Sequence, residues 1–117
     1  MSVQELIRAS KALSDETRLR ILSILLEREC CVCEVMQALG ISQSRASRNL
    51  GILEDGGFLT ARRDGTWVLY SLKTRSENSL AASLTDLLKE YFTDDEVLTH
   101  DRARLEHSVR VDPGCTK

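Results

Sequence analysis

The sequence predicts a mainly α-helical domain that carries one β-hairpin, and three observations lead there. Apolar residues recur at three- and four-residue spacing through the first half of the chain. An Asp-Gly pair, Asp64-Gly65, separates two stretches rich in strand-forming residues. A leucine-rich segment of helical period follows. With 117 residues, 42% of them hydrophobic, the chain can build one compact core but not two. No apolar run approaches the roughly 18–20 residues needed to cross a bilayer, and the opening MSVQELIRAS lacks the charged-then-apolar layout of a signal peptide. The expectation is a cytoplasmic protein with no membrane partner.

Taken in order, Val3, Leu6, Ile7 and Leu13 mark a first helix. Ser14, followed by Asp15 and Glu16, reads as the N-cap of a second helix with Leu19, Leu22, Leu25 and Leu26 on one face. A short third helix spans Glu34 to Leu39, with Val35, Met36 and Leu39 inward and Gly40 closing it in a left-handed conformation. Ser42 caps a fourth, whose Ala46, Leu50 and Leu53 follow at i, i+4 and i+7, and Gly56-Gly57 ends it. The period then changes, and Phe58–Arg63 and Thr66–Leu72 become two strands around a two-residue turn at Asp64-Gly65. Thr74 and Glu77 have capping-box spacing ahead of a last helix carrying Leu80, Leu84, Leu87, Leu88 and Tyr91. Residues 1–92 form the domain, and 93–117 a charged C-terminal extension with the composition of a flexible tail.

A short helix, the turn Gly40-Ile41-Ser42 and a second helix exposing Gln43, Ser44, Ser47 and Arg48 make a helix-turn-helix. The hairpin after it makes a wing, giving a winged helix-turn-helix of order ααααββα. In such units the second helix enters the major groove, where Gln can pair with adenine, Arg with guanine, and Ser with bases or phosphates. Ser42, Gln43, Ser44, Arg45, Ser47 and Arg48 are the candidate reading residues. Arg62 and Arg63 would lie along the flanking backbone, positioning the protein without reading sequence. The formal net charge of -2 does not advertise a nucleic-acid binder, but its distribution does. From Ser42 to Arg75 six basic residues face three acids, a local balance of +3.

Three of the four cysteines crowd into Glu29-Cys30-Cys31-Val32-Cys33-Glu34. In a reducing compartment thiols stay free, and adjacent cysteines bridge each other poorly, so the cluster points to metal or redox chemistry. Thiolates suit soft ions, and Cys33 stands near a helix N-terminus, where thiol pKa values fall. Regular backbone does not aim all three sulfurs at one point. Cys30 and Cys33 share a face in a helix, whereas Cys31 and Cys33 share one in an extended segment. Closing a three-sulfur site would therefore distort the start of the third helix, which braces the reading helix.

From about Ala9 to Tyr91 the chain resembles the ArsR/SmtB repressors, and specifically the arsenic-responsive subgroup. The resemblance rests on Leu13-Ser14-Asp15-Glu16-Thr17-Arg18-Leu19-Arg20-Ile21-Leu22, on Ser42-Gln43-Ser44-Arg45-Ala46-Ser47-Arg48-Asn49-Leu50, on Arg62-Arg63-Asp64-Gly65 and on Cys31-Val32-Cys33. It implies a homodimer built on the first and last helices. That dimer would bind double-stranded operator DNA and leave it when As(III), or Sb(III), is taken by a three-thiolate site. A third cysteine often sits one turn further on in that subgroup, where this chain has Met36. Cys30 is the favoured replacement, making Cys30, Cys31 and Cys33 the expected ligands, with Cys115 the other candidate.

Competing readings keep the fold and change the signal to Cd(II), Pb(II) or oxidation. Another class, a small thiol oxidoreductase or metalloid carrier, is disfavoured. Cys30 and Cys33 have Cys-x-x-Cys spacing but precede a short helix in a mostly helical chain. No catalytic carboxylate pair or Gly-rich phosphate loop appears either, so no enzyme is expected. His100 and His107, at i, i+7 in a charged stretch, read as solvated rather than as zinc ligands.

Overall fold

A computed structural model describes residues 2–73 and 80–111. The expected Thr74/Glu77 capping box and Cys115 lie outside the described residues. The elements are α1 (Val3–Leu13), α2 (Glu16–Leu25), α3 (Val32–Leu39), α4 (Gln43–Asp55), β1 (Leu59–Asp64), β2 (Trp67–Leu72), α5 (Leu80–Leu88) and α6 (Glu96–Glu106), with a 3-10 turn at Lys89–Tyr91.

Helix α2 forms the centre, with Ile21, Leu22, Ile24 and Leu25 all buried. Its N-cap is Asp15, whose side chain accepts from Arg18 N–H, whereas Ser14 terminates α1; the expected cap is displaced by one residue. The carboxylate also complements the helix dipole at that end. Around α2 pack Val35 and Leu39 of α3, Leu50 and Leu53 of α4, and Phe58 and Leu59 entering the hairpin. Fully burying an aliphatic side chain of this kind is worth ~1.5–3 kcal/mol, so these contacts supply most of the drive to fold.

Gly40 ends α3 at φ +69, and its N–H reaches Met36 O at 2.8 Å. A left-handed residue there turns the chain into Ser42 and α4 without the strain a Cβ would bring. Helix α3 itself begins at Val32, two residues before the expected start, with Cys31 as N-cap. The hairpin turn also differs from expectation. Asp64 pairs with Trp67, so the two loop residues are Gly65 and Thr66, and Gly65 supplies the positive φ of +64. The register runs Leu59 opposite Leu72 and Arg62 opposite Leu69. On the outer edge of β2, Cys30 forms an antiparallel bridge with Tyr70, its N–H to Tyr70 O at 3.0 Å and Tyr70 N–H to Cys30 O at 2.8 Å. The segment before α3 is thus a rudimentary third strand of the wing.

The segment read as a charged extension contains α6, capped by Asp95 and burying Leu98, Asp101 and Leu105 against α2 and α3. Asp101 is fully buried and receives two hydrogen bonds from Arg20, both 2.8 Å, while Arg20 also donates to Leu39 O at 3.0 Å. The last helix therefore docks through a buried ion pair that also holds the C-terminal end of α3, and Arg102 pairs with Glu27 nearer the surface. Removing one partner of a buried pair costs about 3 kcal/mol or more, because a charge stays behind unpaired. Asp101→Ala is expected to lower the unfolding free energy by about 3 kcal/mol, read as a reduced denaturant midpoint at unchanged slope.

Candidate functional site

Two surfaces carry chemistry. The first is built on α4, whose Ser42 hydroxyl accepts from Arg45 N–H at 3.2 Å and so starts the helix. Ala46, Leu50 and Leu53 are buried, which turns Ser44, Arg45 and Arg48 outward and leaves Gln43 and Ser47 half-buried. Gln43 Nε2 donates to Ser47 Oγ at 2.8 Å, one turn along. Arg45 Nη2 donates to Thr17 Oγ1 at 2.8 Å, which ties the reading helix to the start of α2. Arg48 and Arg63 are exposed and have no partner among the described residues. Arg62 is exposed but engaged, its Nη2 2.5 Å from Glu29 Oε1.

The pose of α4 depends on residues that pattern reading passed over. Arg18 donates to Ala12 O at 2.7 Å, to Lys11 O at 3.1 Å and to Asn49 Oδ1 at 2.9 Å. Asn49 is buried and donates in turn to Arg45 O at 2.9 Å. One guanidinium thus satisfies the carbonyls left open at the end of α1 and pins α4 from beneath. The available signal was a polar Asn between Ala46 and Leu50 on an apolar helix face.

The second surface is the cysteine turn. Cys31, in extended conformation at φ -85 and ψ 170, precedes Cys33 in the first turn of α3. Their Sγ atoms lie 2.7 Å apart, and both residues are buried and outside any disulfide. The extended geometry, not the helical one, is realised, so Cys31 and Cys33 share a side. They form a small cluster with Leu69 and Trp67, separate from the main core. Cys30 was expected to join them, but it packs in the main core, its Sγ 3.5 Å from Arg28 O. Successive residues of extended chain point to opposite sides, so the backbone that pairs Cys30 with Tyr70 turns its sulfur away from its neighbour. Among the described residues no three-ligand cluster is assembled. Met36 is half-buried against the main core.

Glu34 organises this turn. It is buried, and its Oε1 accepts from Cys31 N–H at 2.9 Å and Arg110 Nε at 3.0 Å, while Oε2 accepts from Arg28 Nη1 at 2.6 Å. Burial alone would raise its pKa, but the Cys31 amide and the two guanidiniums outweigh it and hold the carboxyl below its ordinary range. Burial, then the hydrogen bond with Cys33, pushes the Cys31 thiol up to about 12, so helix-terminal activation does not govern it. Burial, with Glu34 nearby, likewise pushes Cys30 up to about 12. Cys31 rests as a neutral thiol.

Trp67, Gln37 and Arg110 were also passed over. Trp67 covers the thiols and donates from Nε1 to Val111 O at 2.8 Å. Gln37 donates to Cys33 O at 3.0 Å and exchanges two hydrogen bonds with the Val109 backbone, 2.7 and 3.0 Å. His100 and His107 are exposed, as a solvated segment requires.

A three-helix lead-in, a reading helix held from below and a two-stranded wing define a winged helix-turn-helix regulator of transcription. Residues 15–61 match the family described as bacterial regulatory protein, arsR family. An arsenical resistance operon repressor of Bacillus subtilis is 38% identical over 71 residues, covering 60% of this chain and 68% of its own. The chain belongs to the ArsR family, a class of DNA-binding repressors and not of enzymes. An arsenic resistance transcriptional regulator of Pseudomonas putida is 49% identical over 63 residues, 53% of this chain and 49% of that protein, so the match spans about half of that relative's length. Among solved structures, a homodimeric winged helix-turn-helix DNA-binding domain from Mycobacterium bovis superposes with TM-score 0.67 at 32% identity, covering 76% of this chain and 79% of that one. No helix among the described residues is long and apolar enough to cross a membrane.

Because Glu34 has a lowered pKa when folded, it stabilises the fold above the ordinary carboxylate range, and that contribution is lost as pH falls through its folded value. Glu34→Gln is expected to cost about 1–2 kcal/mol near neutrality, the part-exposed arginines limiting the loss, and to flatten the acid limb of a stability-versus-pH curve. An unchanged acid limb would remove Glu34 from that role.

Proposed function

We propose that the protein is a cytoplasmic, homodimeric repressor whose release from operator DNA is triggered by As(III), or Sb(III), binding at Cys31 and Cys33. The observation that carries this reading is the pair of buried sulfurs 2.7 Å apart, seated where α3 meets the wing. Soft sulfur donors select thiophilic ions. Arsenous acid is itself neutral, so condensation with thiols releases water and no net proton.

Two routes lead from this pair to DNA. Helix α3 packs on α4, so a shift of the Cys31 cap tilts the reading helix. The cysteine segment is also bonded to the wing through Cys30 and Tyr70 backbone and through Glu29 and Arg62. Drawing Cys31 and Cys33 around one atom therefore pulls on both DNA-contacting elements. Couplings of this kind are typically about 1–3 kcal/mol, roughly 5- to 150-fold in affinity. The dimer is supported by the apolar residues left exposed on α1, namely Val3, Leu6 and Ile7, and by Leu87 of α5 and Tyr91 beyond it. A two-fold pairing would set two copies of α4 about 34 Å apart, one helical turn of DNA.

Ser44 and Arg48, facing out from α4, are the proposed base contacts together with Gln43, and Arg63 a phosphate contact; Ser42, Arg45, Ser47 and Arg62 flank them. Arg48→Ala is expected to cost about 1–3 kcal/mol and relax preference at one base position, whereas Arg63→Ala weakens binding uniformly and reduces the salt slope by about one. Anisotropy titrations over a mutated operator set at several salt concentrations separate these two signatures.

The decisive experiment is operator binding by reduced protein with and without sodium arsenite. Arsenite is expected to release the wild type and to leave Cys31→Ser and Cys33→Ser bound. Release by Cd(II) or Pb(II) where arsenite fails would replace the inducer. Release by mild peroxide alone, reversed by a reductant, would make the switch redox.

A further inference from the structure

We propose that residues 108–111, a strap that follows α6, are a latch that holds Trp67 over Cys31 and Cys33, so that the sulfurs are reached only when the strap lifts. Any thiol-directed ligand meets this latch, whichever ion is the inducer.

Access to the pair has to be created. Cys31 and Cys33 are only 1% and 2% exposed, and they cluster with Leu69 while the Trp67 ring packs against them. Leu69 is fully buried in β2, whose ladder with β1 runs the length of the hairpin, and α3 is fixed in the main core by Val35, Ala38 and Leu39. Moving either element breaks a strand ladder or empties a core position. Trp67 is differently placed. It is the first residue of β2, beside the hairpin turn, it is half-buried, and its indole N–H donates to Val111 O at 2.8 Å.

The strap that supplies this carbonyl is held by polar contacts near the surface. Val109 N–H donates to Gln37 Oε1 at 3.0 Å and Gln37 Nε2 to Val109 O at 2.7 Å, both bonds exposed, and Arg110 Nε donates to Glu34 Oε1 at 3.0 Å. The strap contributes to neither apolar cluster among the described residues, and Val109 and Val111 are 58% and 40% exposed. Segments with few buried apolar contacts and solvent-exposed hydrogen bonds open at the low end of the local free-energy range. Arg28 marks the hinge. It donates to Leu105 O and Ser108 Oγ, 3.3 and 3.2 Å, and to Glu34, so the strap lifts from Ser108 onward while α6 stays docked through buried Leu105. Lifting takes Val111 O away from the indole and frees Trp67 to rotate off the pair. Gln37 joins latch to site, because the Nε2 that holds Val109 also donates to Cys33 O at 3.0 Å.

Trp67 is the chain's single tryptophan, so its indole N–H gives one NMR signal whose exchange with solvent counts openings of the latch. The test combines that exchange with labelling of the reduced full chain by N-ethylmaleimide, a neutral thiol probe, with tandem mass mapping to read Cys30, Cys31 and Cys33 individually. Val109→Pro deletes the N–H given to Gln37. It is expected to speed both indole exchange and the labelling of Cys31 and Cys33 about three- to tenfold, the weight of one hydrogen bond. Val109→Ala keeps that N–H and is expected to match wild type. Arg110→Ala, which removes a charge-assisted bond to Glu34, is expected to accelerate both at least as much as Val109→Pro. Cys30, packed in the main core, is the internal control and keeps its wild-type rate. Faster indole exchange with unchanged labelling of Cys31 and Cys33 would overturn the latch, because Trp67 would not then be the barrier. Unchanged indole exchange in both Val109→Pro and Arg110→Ala would overturn it too, as would acceleration of Cys30 in step with its neighbours, which marks general unfolding as the route of access.

Discussion

The buried carboxylate of Glu34 is the constraint on which the cysteine site depends. A charge taken out of water must be compensated, and Glu34 is compensated by groups from three places: the Cys31 amide, Arg28 after α2 and Arg110 after α6. Each of these is held in turn. Satisfying one carboxylate fixes the backbone ahead of α3, draws the C-terminal strap across the turn and brings Trp67 into contact with that strap. The two thiols are enclosed as a consequence of this arrangement, and burial there is what pushes the Cys31 thiol up.

A second buried polar centre does similar work under the DNA-reading helix. Arg18 closes the open carbonyls of α1 and holds Asn49, while Arg45, one turn earlier on α4, is bonded to Thr17. The pose of α4 is therefore set by directional hydrogen bonds as well as by Leu50 and Leu53. The wing is coupled to the cysteine turn in the same currency, through the backbone bridge at Tyr70 and the pairing of Glu29 with Arg62. Glu29 occupies the Arg62 guanidinium, so the segment bearing the cysteines also sets how much of the wing's positive charge is left unpaired.

The apolar residues on the far side of the molecule obey a different logic. Helix α1 buries only Ala9 and Ala12, leaving its larger side chains outward, and α5 buries Ala81, Ala82 and Thr85. Small residues face the core and large ones face away, the reverse of what a monomeric helix needs. Leu80, Leu84 and Leu88 do contribute to the core, yet Leu87 remains 59% exposed and Tyr91 71%.

What the sequence by itself determined is whatever short-range chemistry controls. The period of the leucines set α2 and α4, Gly40 set the turn before the reading helix, and Cys31-Val32-Cys33 could share a side only in extended chain. Even there, adjacent candidates traded places: Asp15 rather than Ser14 caps α2, and Gly65-Thr66 rather than Asp64-Gly65 makes the turn. These one-residue shifts reflect competing local chemistries of nearly equal energy. Tertiary structure alone decided the rest. Helix α6 was illegible because its buried stripe is Leu98, Asp101, Leu105, and a carboxylate in the middle reads as solvent-facing until Arg20 from α2 meets it. Cys30 looked like a ligand because it is adjacent in sequence, but pairing with Tyr70, forty residues away, turns its sulfur into the core. Trp67 reaches the thiols, and Arg110 the Glu34 carboxylate beside them, only after the chain has folded back. Polar groups whose partners lie far along the chain leave no periodic signature, because their burial is permitted by the partner and not by the pattern.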